Sequence, residues 1–596
     1  ISAAATALGF KPGSANPLSG NQLDDDNIIV KLDWQITDDH RATARYNNSE
    51  SSRPTFPGFG SGISENNFSF DSLWYQQIVN NKSYIGQVIS RWSDRLNTEV
   101  SVSRSEYHSE PQNNSRQPGV EIRNVPVAGS SNTSFITLGT DNSRHANVLD
   151  VKSTTAEIFA AYELNEKHTL EAGVQYDNND LYNLFVQNAY GSYSFNSLQD
   201  FLAVAGNNNG SINYRTYAYN QILPGVEPAA IFEEGNAGIF IKDVWRVTPG
   251  LRVDLGVRVD MALLPDSVPY NATFANTFGV TNTATYDGKK IFQPRGGFNW
   301  DLNTKLRTVI RGNAGLYYGR MPRVWLSNSY SNTGLNYRTF SAGTNPLSGV
   351  SSSQAPIVSA NPDSQPTLGG SPAMTVAFLD PSFELPSRYK ANLAVERELG
   401  FLDMKATAEI ELTVVRKDVF YTNINLQPTG KGPDGREMYW NTYGATPSGT
   451  RLVSSAFTNR LIKLGNTGKG DTRTILFSLE RAQKRKDGWF WRASYVNTEA
   501  NEVLFGTSSV ATSNWQNRSV FNANAQEKHT AELEVKDRVS VMVSKDIELL
   551  KGYKTTFSLF YEGRSGYPFS LVYSNDTNGD AQTQNDLIYV PRRGGD

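Results

Sequence analysis

One short segment near the end of the chain carries the residue types best suited to hold a metal ion. It reads DTNGDAQTQND and offers carboxylate and amide oxygens at alternate positions and at its end: Asp576, Asn578, Asp580 and Asp586. Ca²⁺ prefers hard oxygen ligands of this kind, but an EF-hand loop has Gly at position 6, where this segment has Ala581, and closes at position 12 instead of 11. The alternative is an Asn- and Asp-rich turn that satisfies its own backbone. The segment therefore predicts either a calcium loop or such a turn.

The rest of the composition excludes most other chemistry. The chain has no cysteine, so it can form neither a disulfide framework nor a thiolate metal site. The five histidines are widely separated: His40, His108, His145, His168 and His529. We see no catalytic motif and expect no enzymatic activity. No cofactor is required, and Ca²⁺ at the segment above is the one candidate ion. A net charge of −3 gives no electrostatic reason to expect a nucleic-acid partner.

The elements that must position these residues are strands with one apolar and one charged face. In TPGLRVDLGVRVDM, residues 248–261, aliphatic side chains alternate with charged residues and glycine. Successive side chains of a strand point to opposite faces, so the aliphatic residues share one face: Leu251, Val253, Leu255, Val257 and Val259. This row spans nine residues, close to the ~9–11 that a tilted strand needs to cross a membrane.

Short turns and long connections alternate along the chain. Eight short turns join such strands in pairs, which predicts about 16 strands. Seven long polar connections lie between the pairs, at roughly 48–71, 108–149, 186–234, 264–289, 320–384, 423–470 and 499–528. Compact soluble domains rarely contain even one structureless loop longer than ~15 residues. We therefore predict an all-β fold, a large antiparallel transmembrane β-barrel with short periplasmic turns and long extracellular loops.

Tryptophan positions support a membrane-spanning barrel. Six of the ten tryptophans lie within a few residues of a short turn: Trp34, Trp92, Trp245, Trp300, Trp489 and Trp491. Indole rings prefer the membrane–water interface, where barrels carry aromatic girdles. No stretch approaches the ~18 apolar residues of a membrane helix, which alternating barrel strands do not need.

Two hairpins resemble a known family. GIFIKDVWRVTPGLRVDLGVRVDM resembles a strand pair of TonB-dependent outer-membrane transporters, with matching residues Asp243, Trp245, Leu255, Gly256, Arg258 and Asp260. Residues 292–320, FQPRGGFNWDLNTKLRTVIRGNAGLYYGR, resemble the next hairpin of that family. Residues 385–426 and 561–591 resemble its Oar-like branch, in which an immunoglobulin-like carboxypeptidase-regulatory module precedes plug and barrel.

The resemblance implies a barrel of 22 strands, a plug domain and a TonB box gripped by the inner-membrane TonB complex. Since about 16 strands are predicted, we expect residues 27–596 to form an incomplete barrel after a leading segment or loop, residues 1–26. The plug and the TonB box would precede residue 1 in the intact protein.

The charged faces of the strands are candidates for the barrel lumen. The residues expected to face it are Lys31, Asp33, Arg41, Arg45, Glu171, Arg252, Asp254 and Arg258. The resemblance implies that they contact the plug, whereas the simpler interpretation is that they keep the interior hydrated. Tyrosines in the long connections suit recognition of a peptide or glycan, or reflect ordinary loop composition: Tyr214, Tyr217, Tyr219, Tyr330 and Tyr337.

The functional prediction follows from the resemblance. We expect an active transporter in the outer membrane of a Gram-negative bacterium, in contact with lipid and lipopolysaccharide and driven through TonB by the proton-motive force. Its substrate would be large, and a peptide or protein is favoured over an iron–siderophore complex. The alternatives are a surface adhesin, whose apolar strand faces would pack on one another, and a passive porin or secretion pore.

Overall fold

The computed structural model describes residues 1–15, 22–57, 67–206, 216–343, 358–367, 372–401, 403–442, 448–481 and 488–588. Its main element is an antiparallel meander of sixteen long strands. In chain order, β1 to β16 are Asp24–Thr37, His40–Thr55, Tyr75–Arg91, Leu96–Asn113, Ala146–Glu163, His168–Val186, Ala230–Thr248, Leu251–Leu263, Lys290–Asp301, Thr308–Tyr318, Ser387–Leu399, Met404–Asn423, Asp471–Arg481, Trp489–Glu502, Asp537–Leu550 and Tyr553–Arg564.

Each strand pairs with the strand before it and the strand after it in this order. The eight predicted hairpins and the predicted strand number are therefore confirmed, although the turn 482–487 itself lies outside the described residues. Within the described part of the chain, β1 pairs only with β2 and β16 only with β15.

The two faces of the sheet have opposite character. Ile239 and Ile241 on β7 and Leu255 on β8 are each more than half exposed, at 58%, 52% and 55%. On the other face of the same strands, Asn236 and Asp260 are buried, at 1% and 2%. A soluble sheet buries its aliphatic face, so an exposed aliphatic face over a buried polar one is the arrangement of a membrane-spanning barrel.

The strands have 11 to 20 residues each, at or above the ~9–11 that a tilted strand needs to cross a membrane. The extra length lies towards the long connections: β2, for example, continues to Thr55, whereas the sequence predicts a loop from about residue 48. Beyond the hydrocarbon a strand can be polar on both faces, so the alternation that marks its membrane part ends before the strand does.

The long connections form structure of their own. Segments from four of the connections build a six-stranded sheet, here called the loop sheet, in the order Tyr337–Gly343, Thr216–Ile222, Ser192–Phe195, Gly119–Pro126, Thr133–Leu138 and Asn67–Ser69. Its core contains fully buried aromatic and aliphatic side chains, including Ile122, Phe195 and Tyr217. Phe10 from the leading segment packs into the same core.

Short helices and strands complete the connections. The helices α1 to α5 are Ser2–Ala7, Leu198–Gly206, Ala272–Phe278, Arg323–Ser331 and Ala511–Gln516, with a 3₁₀ turn at Asp71–Leu73. The remaining strands are Ala377–Leu379, Gly430–Lys431, Glu437–Met438, Trp440–Thr442, Ser448–Thr450, Ile462–Thr467 and His529–Thr530. None of the helices in the described part of the chain is long and apolar enough to span a membrane.

Candidate functional site

The predicted lumen residues lie on the strand faces opposite the exposed aliphatic rows. On β1, Lys31 Nζ lies 2.7 Å from the Asp33 carboxylate, and Arg41 from β2 reaches the same carboxylate at 2.8 Å. Arg45 lies opposite Lys31 in the register of these two strands. All four side chains therefore share the polar face, at the first edge of the meander.

The other predicted lumen residues form similar pairs on the polar faces of β6 to β8. Glu171 on β6 pairs with Lys242 on β7 at 2.6 Å. Arg252 and Asp254 pair along β8 at 2.8 Å. Because these pairs are partly exposed, each contributes little to stability, ~0–1 kcal/mol.

Arg258, the last predicted lumen residue, belongs to a more deeply buried cluster. Its Nε donates to Asp260 Oδ2 at 2.7 Å, and its Nη2 donates to Gln175 Oε1 at 2.9 Å. Asp260 also accepts from Asn236 Nδ2 at 2.7 Å and from the Gln293 amide. This network joins four neighbouring strands, β6 to β9, through one nearly inaccessible carboxylate.

Two ion pairs that the sequence did not suggest tie a long connection to the polar face. Arg320 Nη1 donates to Asp177 Oδ2 at 2.7 Å, and Arg323 Nε donates to Glu234 Oε2 at 2.8 Å. Both carboxylates are 4% exposed. The partners are 143 and 89 residues apart, a separation that no local pattern reveals.

Helix α4, which begins at Arg323, lies at the barrel mouth. Tyr330 on α4 stacks on Phe232 of β7, with ring centroids 4.4 Å apart and planes 10° apart. Asn328 Nδ2 donates to the Ser509 carbonyl at 2.8 Å, and Trp325 Nε1 donates to the Ser508 carbonyl at 2.8 Å. Two long connections, those that carry α4 and α5, are thereby joined to each other against the polar face.

A cavity of about 960 Å³ lies between these connections, the loop sheet and the strand ends. Its lining is mostly Asn, Gln, Ser and Thr, with two arginines, Arg144 and Arg460, and no Asp or Glu among the described residues. Its volume lies at the upper end of the ~300–1,000 Å³ typical of ligand pockets. The arrangement can hold a polar ligand and favours negative charge over positive.

The acidic segment folds into a compact turn packed on neighbouring strands. Asp576 accepts hydrogen bonds from the backbone amides of Gly579 at 2.6 Å and Ala581 at 2.9 Å. Asn578 Oδ1 accepts from the Asp580 amide at 2.9 Å. Asp586 Oδ2 accepts from the Thr577 amide at 2.8 Å. The structure thus brings the four predicted ligands together in one turn that satisfies much of its own backbone.

The environment of this turn disfavours negative charge. Burial and the nearby Asp586 carboxylate raise the pKa of Asp576 to about 6. Burial and the carboxylates of Asp576 and Asp586 raise the pKa of Asp580 to about 7. Arg436, itself 2% exposed, lies 3.2 Å from Asp586. Among the described residues no three His, Cys, Asp or Glu side chains form a metal-binding group, so calcium binding here stays a prediction.

The loop tyrosines contribute packing instead of an exposed recognition surface. Tyr217 and Tyr330 are buried at 0% and 4%, and Tyr219 is nearly so. Tyr337 lines the cavity and donates to Asn332 Oδ1 at 2.8 Å. Tyr214 lies outside the described residues. Their location in the long connections was predictable from the sequence, but their burial was not.

The meander and its exposed aliphatic face define a membrane-spanning β-barrel protein. The match of a family model over residues 4–595 shows that the chain belongs to the outer membrane β-barrel domain family, and so to the outer membrane of a Gram-negative bacterium. No curated protein matches the chain.

Solved structures of outer-membrane transporters are similar in fold. The outer membrane transporter YddB from Escherichia coli is 12% identical with a TM-score of 0.51, over 91% of this chain and 61% of that chain. The FrpB iron transporter from Neisseria meningitidis is 9% identical with a TM-score of 0.46, over 88% and 58%. The siderophore receptor PirA from Pseudomonas aeruginosa is 9% identical with a TM-score of 0.45, over 92% and 65%. This chain therefore spans less than two thirds of each of these structures.

Proposed function

We propose that this chain is the barrel of a TonB-dependent transporter of the Oar-like branch, which takes up a large peptide or protein substrate. In the intact protein a plug domain would occupy the barrel and connect it to the inner-membrane TonB complex, while lipid and lipopolysaccharide surround the aliphatic face. The hairpin motifs at 238–261 and 292–320 support the family assignment, and the barrel fold is that of known outer-membrane transporters.

The observation that carries the proposal is the covered mouth of the barrel. The connections with α4 and α5 bind each other and pack on the polar face, through the ion pair of Arg320 with Asp177 and the stack of Tyr330 on Phe232. An open porin would need no such cover. A cavity lined by loops, by contrast, suits capture of a ligand before energised passage.

Energised uptake is the measurement that tests the proposal. In cells that express the full gene product, uptake of labelled peptides should stop when a protonophore collapses the proton-motive force or when TonB is deleted. Cells that lack the gene are the control. The intact protein in planar bilayers should give no steady ion conductance. A large ion conductance in the absence of TonB, together with peptide uptake that the protonophore does not reduce, would contradict the proposal and favour a passive pore.

A further inference from the structure

Arg460 is a partly buried cation for which the described residues supply no hydrogen-bond or ion-pair partner. Its Nε has no accessible surface and no hydrogen-bond partner. Among the described residues its guanidinium forms neither a hydrogen bond nor an ion pair. Burial lowers the pKa of Arg460, and the negative charge of Asp580 partly opposes this effect. A guanidinium stays protonated at neutral pH, and a buried charge without a partner is costly, so an anion beside it is stabilised.

Three other arginines of the described chain that are buried or partly buried have partners. Arg258 donates to Asp260, and Arg436 lies beside Asp586. Arg518 donates to the Ala523 carbonyl at 2.8 Å and lies over the ring of Phe420. Arg460 is different from these three because the described residues supply no group that pairs with its guanidinium.

Two buried asparagines fix the backbone that carries Arg460. Asn423 Nδ2 donates to the Asn459 carbonyl at 2.7 Å, and its Oδ1 accepts from the Leu461 amide at 3.3 Å. Asn425 Nδ2 donates to the carbonyl of Thr458 at 2.8 Å. Both asparagine side chains are fully buried. The backbone position of Arg460 is therefore set before a ligand arrives, which lowers part of the entropy cost of binding.

The surrounding cavity adds the remaining features of a binding site. The second arginine of the lining, Arg144, donates a hydrogen bond from Nε to the Tyr75 hydroxyl at 3.0 Å. Asn188 Oδ1 and Gln516 Oε1 are buried acceptors without a partner, on residues that line the same cavity. A peptide with a free C-terminus offers both a carboxylate for Arg460 and N–H donors for amide oxygens of this kind.

We propose that the cavity binds peptides, with their C-terminal carboxylate on the Arg460 guanidinium. This inference rests on the proposed uptake function and names the substrate class for it. An arginine and a carboxylate can form two parallel hydrogen bonds, about twice as strong as neutral ones. Recognition of the terminus leaves the peptide side chains free to vary along the amide- and hydroxyl-rich walls.

A pair of matched peptides tests the proposal on the full-length protein in detergent. Isothermal titration should show tetraglycine binding about tenfold or more tightly than tetraglycine amide, since the amide lacks the charge that pairs with Arg460. Arg460→Gln should remove this difference by weakening only the acid. Arg451→Gln, at an exposed arginine in the same connection that does not line the cavity, should leave both affinities unchanged.

Several outcomes would overturn the inference. Equal affinities for tetraglycine and tetraglycine amide, or no binding of either peptide, would do so. An unchanged ratio of the two affinities in Arg460→Gln would also do so. Full displacement of tetraglycine by equimolar acetate or phosphate would indicate a free-anion site instead. Tighter binding of a trigalacturonate than of tetraglycine would indicate an acidic glycan instead. Retained amide binding by Arg460→Gln shows that the variant is folded. Acid-selective binding without energised uptake would refute transport alone, and energised uptake indifferent to the terminus would refute this inference alone.

Discussion

His145 offers a test of how the loop sheet is held to the barrel. The ring is 3% exposed and stacks on Tyr190, with centroids 4.6 Å apart. Nδ1 accepts from the Tyr190 amide at 3.0 Å, so Nε2 carries the proton and donates to the Thr140 carbonyl at 3.1 Å. A second proton would have to sit on Nδ1, facing an N–H group. Burial lowers the pKa of His145 to about 4 from 6.5.

The sign and size of the effect follow from linkage. Because the folded pKa is depressed, the stabilisation is complete above pH 6.5 and is lost as the pH falls towards 4. At pH 5.5 the unfolded loop gains a proton that the folded loop does not, which favours opening by ~1.4 kcal/mol, about tenfold. Asp141 nearby has a pKa raised by burial, so its contribution has the opposite sign.

Hydrogen exchange read by mass spectrometry measures this opening. After correction for intrinsic rates, peptides covering residues 138–150 and 186–193 should exchange about tenfold faster at pH 5.5 than at pH 7.5. His145→Gln keeps a donor and an acceptor but does not titrate, so it should show no such excess. Equal protection at both pH values, or the same excess in the variant, would refute the reasoning.

Three further predictions address the barrel wall and the acidic turn. Leu255→Arg, which puts a charge on the lipid face, should lower the free energy of unfolding in liposomes by ~2–4 kcal/mol, while Leu255→Ile should change it little. Arg258→Met removes the cation beside the buried Asp260 carboxylate and should lower the free energy of unfolding by ~3–5 kcal/mol in the same assay. The double variant with Asp260→Asn should recover much of this stability. No recovery would argue against the ion pair. If the acidic turn binds calcium, Tb³⁺ should luminesce on excitation of Trp440, which contacts Gly579, and Ca²⁺ or Asp580→Asn should abolish the signal.

The strands were predictable because their pattern is local. Alternation along 251–259 and the short turn before it define a hairpin without reference to the rest of the chain. The loop sheet was not predictable, since its parallel pairing of Gly119–Ile122 with Ser192–Phe195 joins segments about 70 residues apart. For the same reason the tyrosines of these loops could be placed in the connections but not assigned to a buried core.

The arginines of the candidate site also show that local pairs can be predicted from the sequence, whereas contacts between distant segments cannot. The sequence places Arg258 two residues before Asp260 on one strand face, so their pairing is visible in advance. What distinguishes Arg460 is that no described carboxylate forms an ion pair with it, and this depends on which segments the fold brings to the cavity. The acidic turn lies close enough for Asp580 to influence the pKa of Arg460, yet hydrogen bonds inside the turn occupy its carboxylate. The described acids near Arg460 thus form hydrogen bonds within their own turn or face Arg436, which leaves Arg460 available to the peptide carboxylate proposed above.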